Sequence, residues 1–203
     1  MKIVSFSLYK SDRKNLKTYT EGAIINVNLV KKFYDGFVPR FYVQSDLKEI
    51  GDKLVSMGAE VIYKKNESKN QKPALWRYEP LISGEFEVVF FRDTDSRISI
   101  REKKLVDIFL NCEKNFHVIR DNVGHKNKIM AGMWGAKKTN EKIKKTIKNC
   151  FLENGEYGFE EFYFNDYLWD IIKYDVLEHD SNKNTKDFIK NPDNSFIGKS
   201  FML

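Results

Sequence analysis

Apolar stretches of two kinds alternate along the chain. Short runs rich in β-branched and aromatic residues are typical of strands, whereas apolar residues at helical spacing are typical of helices. The strand-like runs are at residues 2–9, 37–44, 59–65, 86–91, 116–121, 128–138 and 176–181. The helix-like stretches are at residues 22–36, 47–58, 74–82, 99–111, 138–155 and 160–175. This alternation predicts an α/β fold with a mostly parallel sheet flanked by helices.

The boundaries of these elements support their assignment. Gly36 and Gly58 end the first two predicted helices, and Pro73, at the end of a polar loop, favours the start of the third. The stretch 128–138 is a strand interrupted by glycines. Because no repeat or flexible linker divides the chain, we predict a single domain over residues 1–203, either alone or as the first domain of a longer polypeptide.

Composition narrows the class of protein. The chain has 203 residues, of which 41% are hydrophobic, enough for one substantial core. Its net charge of +6 favours anionic partners, among them nucleic acid, acidic membrane surfaces and phosphorylated small molecules. Cys112 and Cys150 are the only cysteines, and no apolar stretch approaches a membrane span. We therefore expect a cytoplasmic protein without a membrane span.

Two closely spaced carboxylates follow the apolar run 86–91. Asp93 and Asp95 are flanked there by Arg92 and Arg97. Two carboxylates at the end of a buried strand repel each other unless a cation lies between them, and Mg²⁺ or Mn²⁺ with a bound diphosphate prefers such oxygen ligands. The alternative interpretation is a pair of acids that cap the following helix.

A metal site of this kind takes a third ligand from elsewhere in the chain. His179, at the end of the apolar run 176–181, is the best placed of the three histidines. Its alternative interpretation is a loop histidine bonded to a neighbouring backbone group.

Several motifs in sequence order resemble a known enzyme family. They are RDTDSR at 92–97, HVIRDNVGH at 117–125, AGMWG at 131–135 and HDS at 179–181. Together they resemble the small nucleotide-sugar-dependent glycosyltransferases of the GT-A fold, especially those that large DNA viruses of algae encode to glycosylate their capsid protein. The resemblance implies a Rossmann-like GT-A domain, a UDP-sugar donor of a hexose or deoxyhexose, Mn²⁺ or Mg²⁺, and a glycan or glycoprotein acceptor. It also implies, for a viral enzyme, action in the host cytoplasm.

The resemblance assigns the donor site residue by residue. It implies that Asp93, Asp95 and His179 bind the cation and that Thr94 lies against the donor. It further implies that the end of the first strand contacts the nucleoside, that Lys199 reaches the diphosphate, and that Arg77 meets phosphate or the donor sugar. These further nucleotide-sugar-binding candidates are Ser7, Leu8, Tyr9, Arg77 and Lys199. The alternative interpretations are that Ser7 to Tyr9 simply end a strand, that Arg77 is a solvated helix residue, and that Lys199 is a charge in the tail.

Asp121, His125 and Trp134 are candidates for sugar contacts. We expect Asp121 and His125 to bind hydroxyls of the donor sugar or to line the acceptor cleft. The alternative for Asp121 is an ion pair with Arg120 or Arg97, which contributes little at a surface. Trp134, between Gly132 and Gly135, is either a platform for the acceptor sugar or a core residue.

Asp166 is the candidate catalytic carboxylate besides Asp121. Many relatives have an Asp-Gln pair where this chain has Asn165-Asp166, so the sequence departs from the family's commonest form. Asp166 would act either as general base on the acceptor hydroxyl, with inversion, or as stabiliser of an oxocarbenium-like state, with retention.

Two other functions compete with glycosyl transfer. We call Asp93, Thr94 and Asp95 the D-x-D motif of this chain. Phosphohydrolases of the haloacid-dehalogenase type also have a D-x-D motif at a strand end, but normally after the first strand, whereas here it follows the fourth. A basic nucleic-acid-binding protein would suit 35 Lys and Arg against 29 Asp and Glu. The basic residues are, however, scattered among acidic ones over several predicted helices, so we expect no nucleic acid as partner.

Overall fold

One seven-stranded sheet forms the centre of the molecule. The structure is a computed structural model, and it describes residues 1–11, 15–65, 72–153, 156, 158–183 and 195–201. The strands are β1 (Lys2–Leu8), β2 (Phe37–Gln44), β3 (Glu60–Lys64), β4 (Val88–Phe91), β5 (Phe116–Arg120), β6 (Trp134–Ala136) and β7 (Val176–Asp180). Their order across the sheet is β3-β2-β1-β4-β6-β5-β7.

All strands except β6 run in the same direction. β1 pairs in parallel with both β2 and β4, β2 with β3, and β5 with β7, while β6 is antiparallel to its neighbours β4 and β5. The carboxyl ends of six strands therefore meet at one edge of the sheet. This arrangement confirms the mixed, mostly parallel sheet that the sequence predicts.

Helices cover both faces of the sheet. They are α1 (Leu16–Phe33), α2 (Lys48–Ser56), α3 (Glu79–Ser83), α4 (Ile100–Leu110), α5 (Glu141–Leu152), α6 (Phe159–Tyr163) and α7 (Trp169–Ile172). Three of them start at a residue whose side chain accepts a hydrogen bond from a backbone N–H of the first turn, as N-caps do. These caps are Asn15 for α1, Ser99 for α4 and Asn140 for α5.

Side-chain alternation along the strands divides the core into two layers. Val88 and Phe90 of β4 pack with α1 and α4 on one face, whereas Val89 and Phe91 pack on the other face with α3 and α5. All four side chains are almost completely buried, because β4 lies in the middle of the sheet. The apolar residues of β4 thus reflect burial on both sides.

Some predicted boundaries differ from the observed ones. The helix predicted at 22–36 starts earlier, at Leu16, and the stretch 74–82 splits into a 3-10 turn, Pro73–Tyr78, and the short α3, because Pro80 marks a new helix start. The predicted strand 128–138 is reduced to β6.

The helix predicted at 160–175 is also divided. A π-helical turn, Phe164–Leu168, lies between α6 and α7. Within it, the Asn165 amide donates to the backbone oxygen of Glu161 at 2.5 Å. Side chains that insert into the helical hydrogen-bond ladder accompany such bulges. Within the described part of the chain, no helix is long and apolar enough to span a membrane.

Candidate functional site

A crevice opens between the carboxyl ends of β1 and β4. From β1 the chain continues to β2 on one side, while β4 pairs with β1 on the other, so the two strands flank a switch point of the sheet. Ligands of open α/β sheets bind at such points. We call this site the β1/β4 crevice; its lining residues are Ser7, Tyr9, Tyr19, Ala74, Arg77, Asp93, Thr94, Asp95 and Glu160. The D-x-D residues therefore lie where the fold places ligands.

Helix α1 holds the D-x-D turn in place. The Asn26 amide donates to the backbone oxygens of Thr94 at 3.1 Å and Ser96 at 2.9 Å. A Cβ atom at Gly22 would lie 2.0 Å from the Thr94 oxygen, so only glycine permits this close approach of helix and turn. The turn is thus fixed by α1 rather than by its own residues alone.

The 3-10 turn Pro73–Tyr78 brings Arg77 into the crevice. The Ser5 hydroxyl donates to the Arg77 oxygen at 2.7 Å, and the Ser7 hydroxyl accepts from the Arg77 N–H at 3.0 Å. The Arg77 guanidinium is buried and forms ion pairs with Asp93 and with Glu160, the latter at 3.7 Å. Burial alone would lower the pKa of Arg77, but Tyr78, Asp93 and Glu160 hold it well above its usual value. Arg77 is therefore a buried cation of the crevice and not a solvated helix residue.

Glu160 is a crevice residue that the sequence reasoning missed. It lies in the first turn of α6 and is only 5% exposed. Burial raises the pKa of Glu160, although Arg77 acts in the opposite direction. Its neighbour Glu161 accepts hydrogen bonds from the Ala131 N–H and the Asn127 amide instead. Two adjacent acids at a predicted helix start were the available indication, but no local pattern distinguishes the one that faces a crevice.

Asp166 lies outside the crevice. It is exposed on the π-helical turn and is not among the crevice-lining residues. Its neighbour Asn165 is the residue with tertiary contacts, because its side-chain oxygen accepts from the Lys128 N–H at 2.5 Å. The structure therefore places Glu160, rather than Asp166, next to the D-x-D residues.

Asp121 and His125 organise the loop after β5 and do not line the β1/β4 crevice, although His125 lines a second cavity beyond β5 and β7. Asp121 pairs with Arg101, and its carboxylate accepts from the Ile197 N–H at 2.8 Å. The Asp121 N–H donates to the His125 ring at 3.1 Å. The partner of Asp121 is thus neither Arg97 nor Arg120, and its contacts anchor the segment 195–201.

That segment returns to the D-x-D turn. The Phe201 N–H donates to the Asp95 backbone oxygen at 2.8 Å, and Ser200 forms an antiparallel bridge with Ser96. Lys199, which precedes the bridge, is exposed. Lys199 therefore adjoins the residues that contact the turn, and its contact with the diphosphate stays a prediction.

Three other predicted site residues lie in the interior. Leu8 is completely buried in the core, so its side chain cannot contact a nucleoside. Trp134 is also completely buried, with its ring centroid 4.5 Å from that of Phe91, so it is a core residue and not an acceptor platform. His179 is buried on β7, with its Nδ1 atom 2.7 Å from the Nε2 atom of His117, and β6 and β5 separate its strand from β4.

The oxygen donors of the D-x-D turn suit a hard divalent cation. Asp93 and Asp95 both line the crevice, and the Asp93 side chain is 44% exposed. Mg²⁺ usually takes one or two carboxylates together with substrate phosphates. Over the described ranges of the chain, no three His, Cys, Asp or Glu side chains are grouped to hold a metal. The residues therefore fit a cation that binds together with a diphosphate, and the ligand role of His179 stays a prediction.

The fold is shared with solved structures of transferases. The chain matches the glycosyltransferase GlyE of Streptococcus pneumoniae TIGR4 with a TM-score of 0.53 and 18% identity, over 90% of this chain and 46% of GlyE. It matches residues 1–349 of TarS from S. aureus with a TM-score of 0.52 and 13% identity, over 90% of this chain and 61% of that TarS fragment. It also matches 4-diphosphocytidyl-2C-methyl-D-erythritol synthase of Anaerococcus prevotii with a TM-score of 0.54 and 9% identity, over 94% and 93%.

These likenesses show the fold alone, which is the GT-A (Rossmann-like) fold that the sequence resemblance implies. The chain spans less than half the length of GlyE. No protein-family model matches it, and no curated protein does.

Proposed function

We propose that the chain is a metal-dependent glycosyltransferase that uses a nucleoside diphosphate sugar. The observation that carries this proposal is the convergence of Asp93, Asp95, Arg77 and Glu160 on one crevice at the switch point of the sheet. Hard oxygen ligands beside a buried guanidinium suit a diphosphate with its cation. A bound cation would supply charge neutralisation at the leaving diphosphate.

In this proposal the donor lies along the β1/β4 crevice. Ser7 and Tyr9 contact the nucleoside at the end of β1, and Asp93 and Asp95 hold the cation. Arg77 and the exposed Lys199 stabilise the negative charge that develops on the diphosphate as the sugar departs. UDP is the nucleotide that we propose, on the basis of the family resemblance of the motifs.

Glu160 supplies the carboxylate next to this site. Burial raises the pKa of Glu160 and so makes its carboxylate a stronger base, which would take the proton of the acceptor hydroxyl and invert the anomeric carbon. A carboxylate that stabilises an oxocarbenium-like state would instead leave a retained configuration. NMR of the anomeric proton in the first product formed distinguishes the two outcomes.

Calorimetric titration of UDP with Mn²⁺ and with EDTA tests the donor site. We expect UDP binding that EDTA abolishes and that Asp95→Asn weakens by at least tenfold, because a charged ligand is lost. Asp35→Asn, at an exposed acid in the turn after α1, is the matched control and should bind like wild type. Equal UDP affinities of Asp95→Asn and wild type would refute the site.

The alternative function is that of a nucleotidyltransferase, and a second experiment distinguishes it from glycosyl transfer. The structural match to 4-diphosphocytidyl-2C-methyl-D-erythritol synthase covers nearly the whole of both chains. Incubation with UDP-sugars and, separately, with CTP or UTP and sugar phosphates distinguishes the two reactions. Release of UDP supports glycosyl transfer, whereas release of pyrophosphate with no UDP would replace it.

A further inference from the structure

A second cavity lies at the same edge of the sheet, beyond the carboxyl ends of β5 and β7. Its volume is about 520 Å³. We call it the β5/β7 cavity; the lining residues that matter here are Arg120, Lys126, Lys128, Trp169, Glu178 and Asp180. Cavities of this size hold small-molecule ligands when an aromatic wall is combined with a few polar groups.

Two lysines that line the β5/β7 cavity lie outside its ion pairs. Both carboxylates, Glu178 and Asp180, form ion pairs with Arg120, and Lys183 also reaches them. Lys126 and Lys128 are exposed and form no ion pair with any residue that the structure describes. The lining therefore carries four basic side chains against two carboxylates, and this excess of positive charge favours an anionic group on the ligand.

Trp169 supplies an apolar surface in the same cavity. Its side chain is half-buried, packing against the core on one side and lining the cavity on the other. An indole ring presents a broad, rigid apolar face, which suits the apolar face of a sugar ring. An aromatic face beside polar and cationic groups matches an acidic sugar better than a purely apolar molecule.

Residues 127–132 run from the β5/β7 cavity to the β1/β4 crevice. Asn127 and Lys128 line the cavity, while a Cβ atom at Gly132 would lie 2.1 Å from a carboxylate oxygen of Asp93. Glu161 holds this segment through Asn127 and Ala131. The two ends of this segment therefore lie at the two sites, and an acceptor bound in the cavity must extend a hydroxyl past the segment to reach the donor.

We propose that the β5/β7 cavity binds the acceptor, and that the acceptor is a sugar carrying a carboxylate or a phosphate ester. Its ring lies against Trp169 and its anionic group between Lys126 and Lys128. This inference rests on the proposed glycosyl transfer for its acceptor role, whereas binding of an acidic sugar is measurable by itself.

Ligand-observed NMR with the full chain, Mg²⁺ and UDP tests it with three probes, D-glucuronate, D-glucose 6-phosphate and D-glucose. We expect at least one acidic sugar to bind more tightly than glucose, and the tighter one identifies the anionic group. Lys126→Ala/Lys128→Ala should weaken that acidic sugar roughly five- to tenfold and leave glucose unchanged. Lys53→Ala/Lys145→Ala, which removes the same charge from exposed positions of α2 and α5, is the matched control.

The outcomes separate this inference from the proposed function. Acidic sugars that bind no better than glucose, or equal losses in the two double variants, would overturn it while UDP binding stands. Absence of UDP binding in the same samples would overturn the glycosyltransferase, and the acceptor role with it.

Discussion

Arg77 balances the charges of the β1/β4 crevice. Its guanidinium lies between Asp93, which is partly exposed, and Glu160, which is buried. A buried carboxylate that loses its cation is costly, whereas an apolar or neutral pair in the same place often is not. The family resemblance implied that Arg77 contacts phosphate or the donor sugar. It did not indicate the pairing with Glu160, because residues distant in the chain meet only in the fold.

Removing Arg77 alone should destabilise the protein more than removing the pair. We expect Arg77→Met to lower the free energy of unfolding by about 3 kcal/mol, since Glu160 is left buried without its partner. The double variant Arg77→Met/Glu160→Gln should recover part of this loss. Urea denaturation of the three proteins measures both effects, and a double variant no more stable than Arg77→Met would show that the ion pair is not the cause.

Replacing Glu160 and replacing Asp166 should have different effects on the rate of transfer. We expect Glu160→Gln to slow transfer roughly 10²- to 10⁴-fold, as loss of a general base does, and Asp166→Asn to transfer at about the wild-type rate. Because burial raises the pKa of Glu160, the wild-type rate should fall with decreasing pH at a higher pH than for an ordinary carboxyl. Rates at saturating donor test this, and a slow Asp166→Asn with a normal Glu160→Gln would return the role to Asp166.

At the scale of elements, α1 acts as a support for the D-x-D turn. The sequence predicted a helix from Gly22, where apolar periodicity is evident, whereas the helix starts at Leu16 and uses Gly22 and Asn26 to contact the turn. Hydrophobic periodicity identifies the apolar side of a helix. It does not show that a glycine and a polar residue in that helix face a loop distant in sequence, which is why the contact was not predicted.

Gly22→Ala should loosen the turn. Its Cβ atom would lie 2.0 Å from the Thr94 oxygen, so α1 and the turn must move apart. We expect a loss of stability of about 1–3 kcal/mol, typical of overpacking, together with weaker UDP binding in Mn²⁺. Asn28→Ala, at an exposed position of the same helix, is the control and should leave both unchanged. Thermal unfolding and calorimetry measure the two quantities, and wild-type values for Gly22→Ala would contradict this packing.

At the scale of the whole molecule, one edge of the sheet gathers everything proposed to act on substrates. Strand and helix order was predictable, because runs rich in β-branched and aromatic residues mark the strands and apolar residues at helical spacing mark the helices. So was the position of Asp93 and Asp95 at a strand end. The antiparallel β6, the burial of Trp134 and the separation of His179 from β4 depend on sheet order, which no local pattern encodes.

The segment 195–201 lies at this edge of the sheet, and two variants distinguish the effect of its packing from the effect of its charge. Ile197 is buried against Leu105, Ile119 and Met133, so Ile197→Ala should cost about 2–4 kcal/mol of stability and weaken UDP binding as the segment loosens.

Lys199→Ala should weaken UDP binding with no change in stability, because Lys199 is exposed. Denaturation curves and UDP titrations of both variants distinguish the roles. Unchanged UDP affinity in both would mean that the segment only closes the fold, and the charge stabilising the diphosphate would then come from Arg77 and the cation alone.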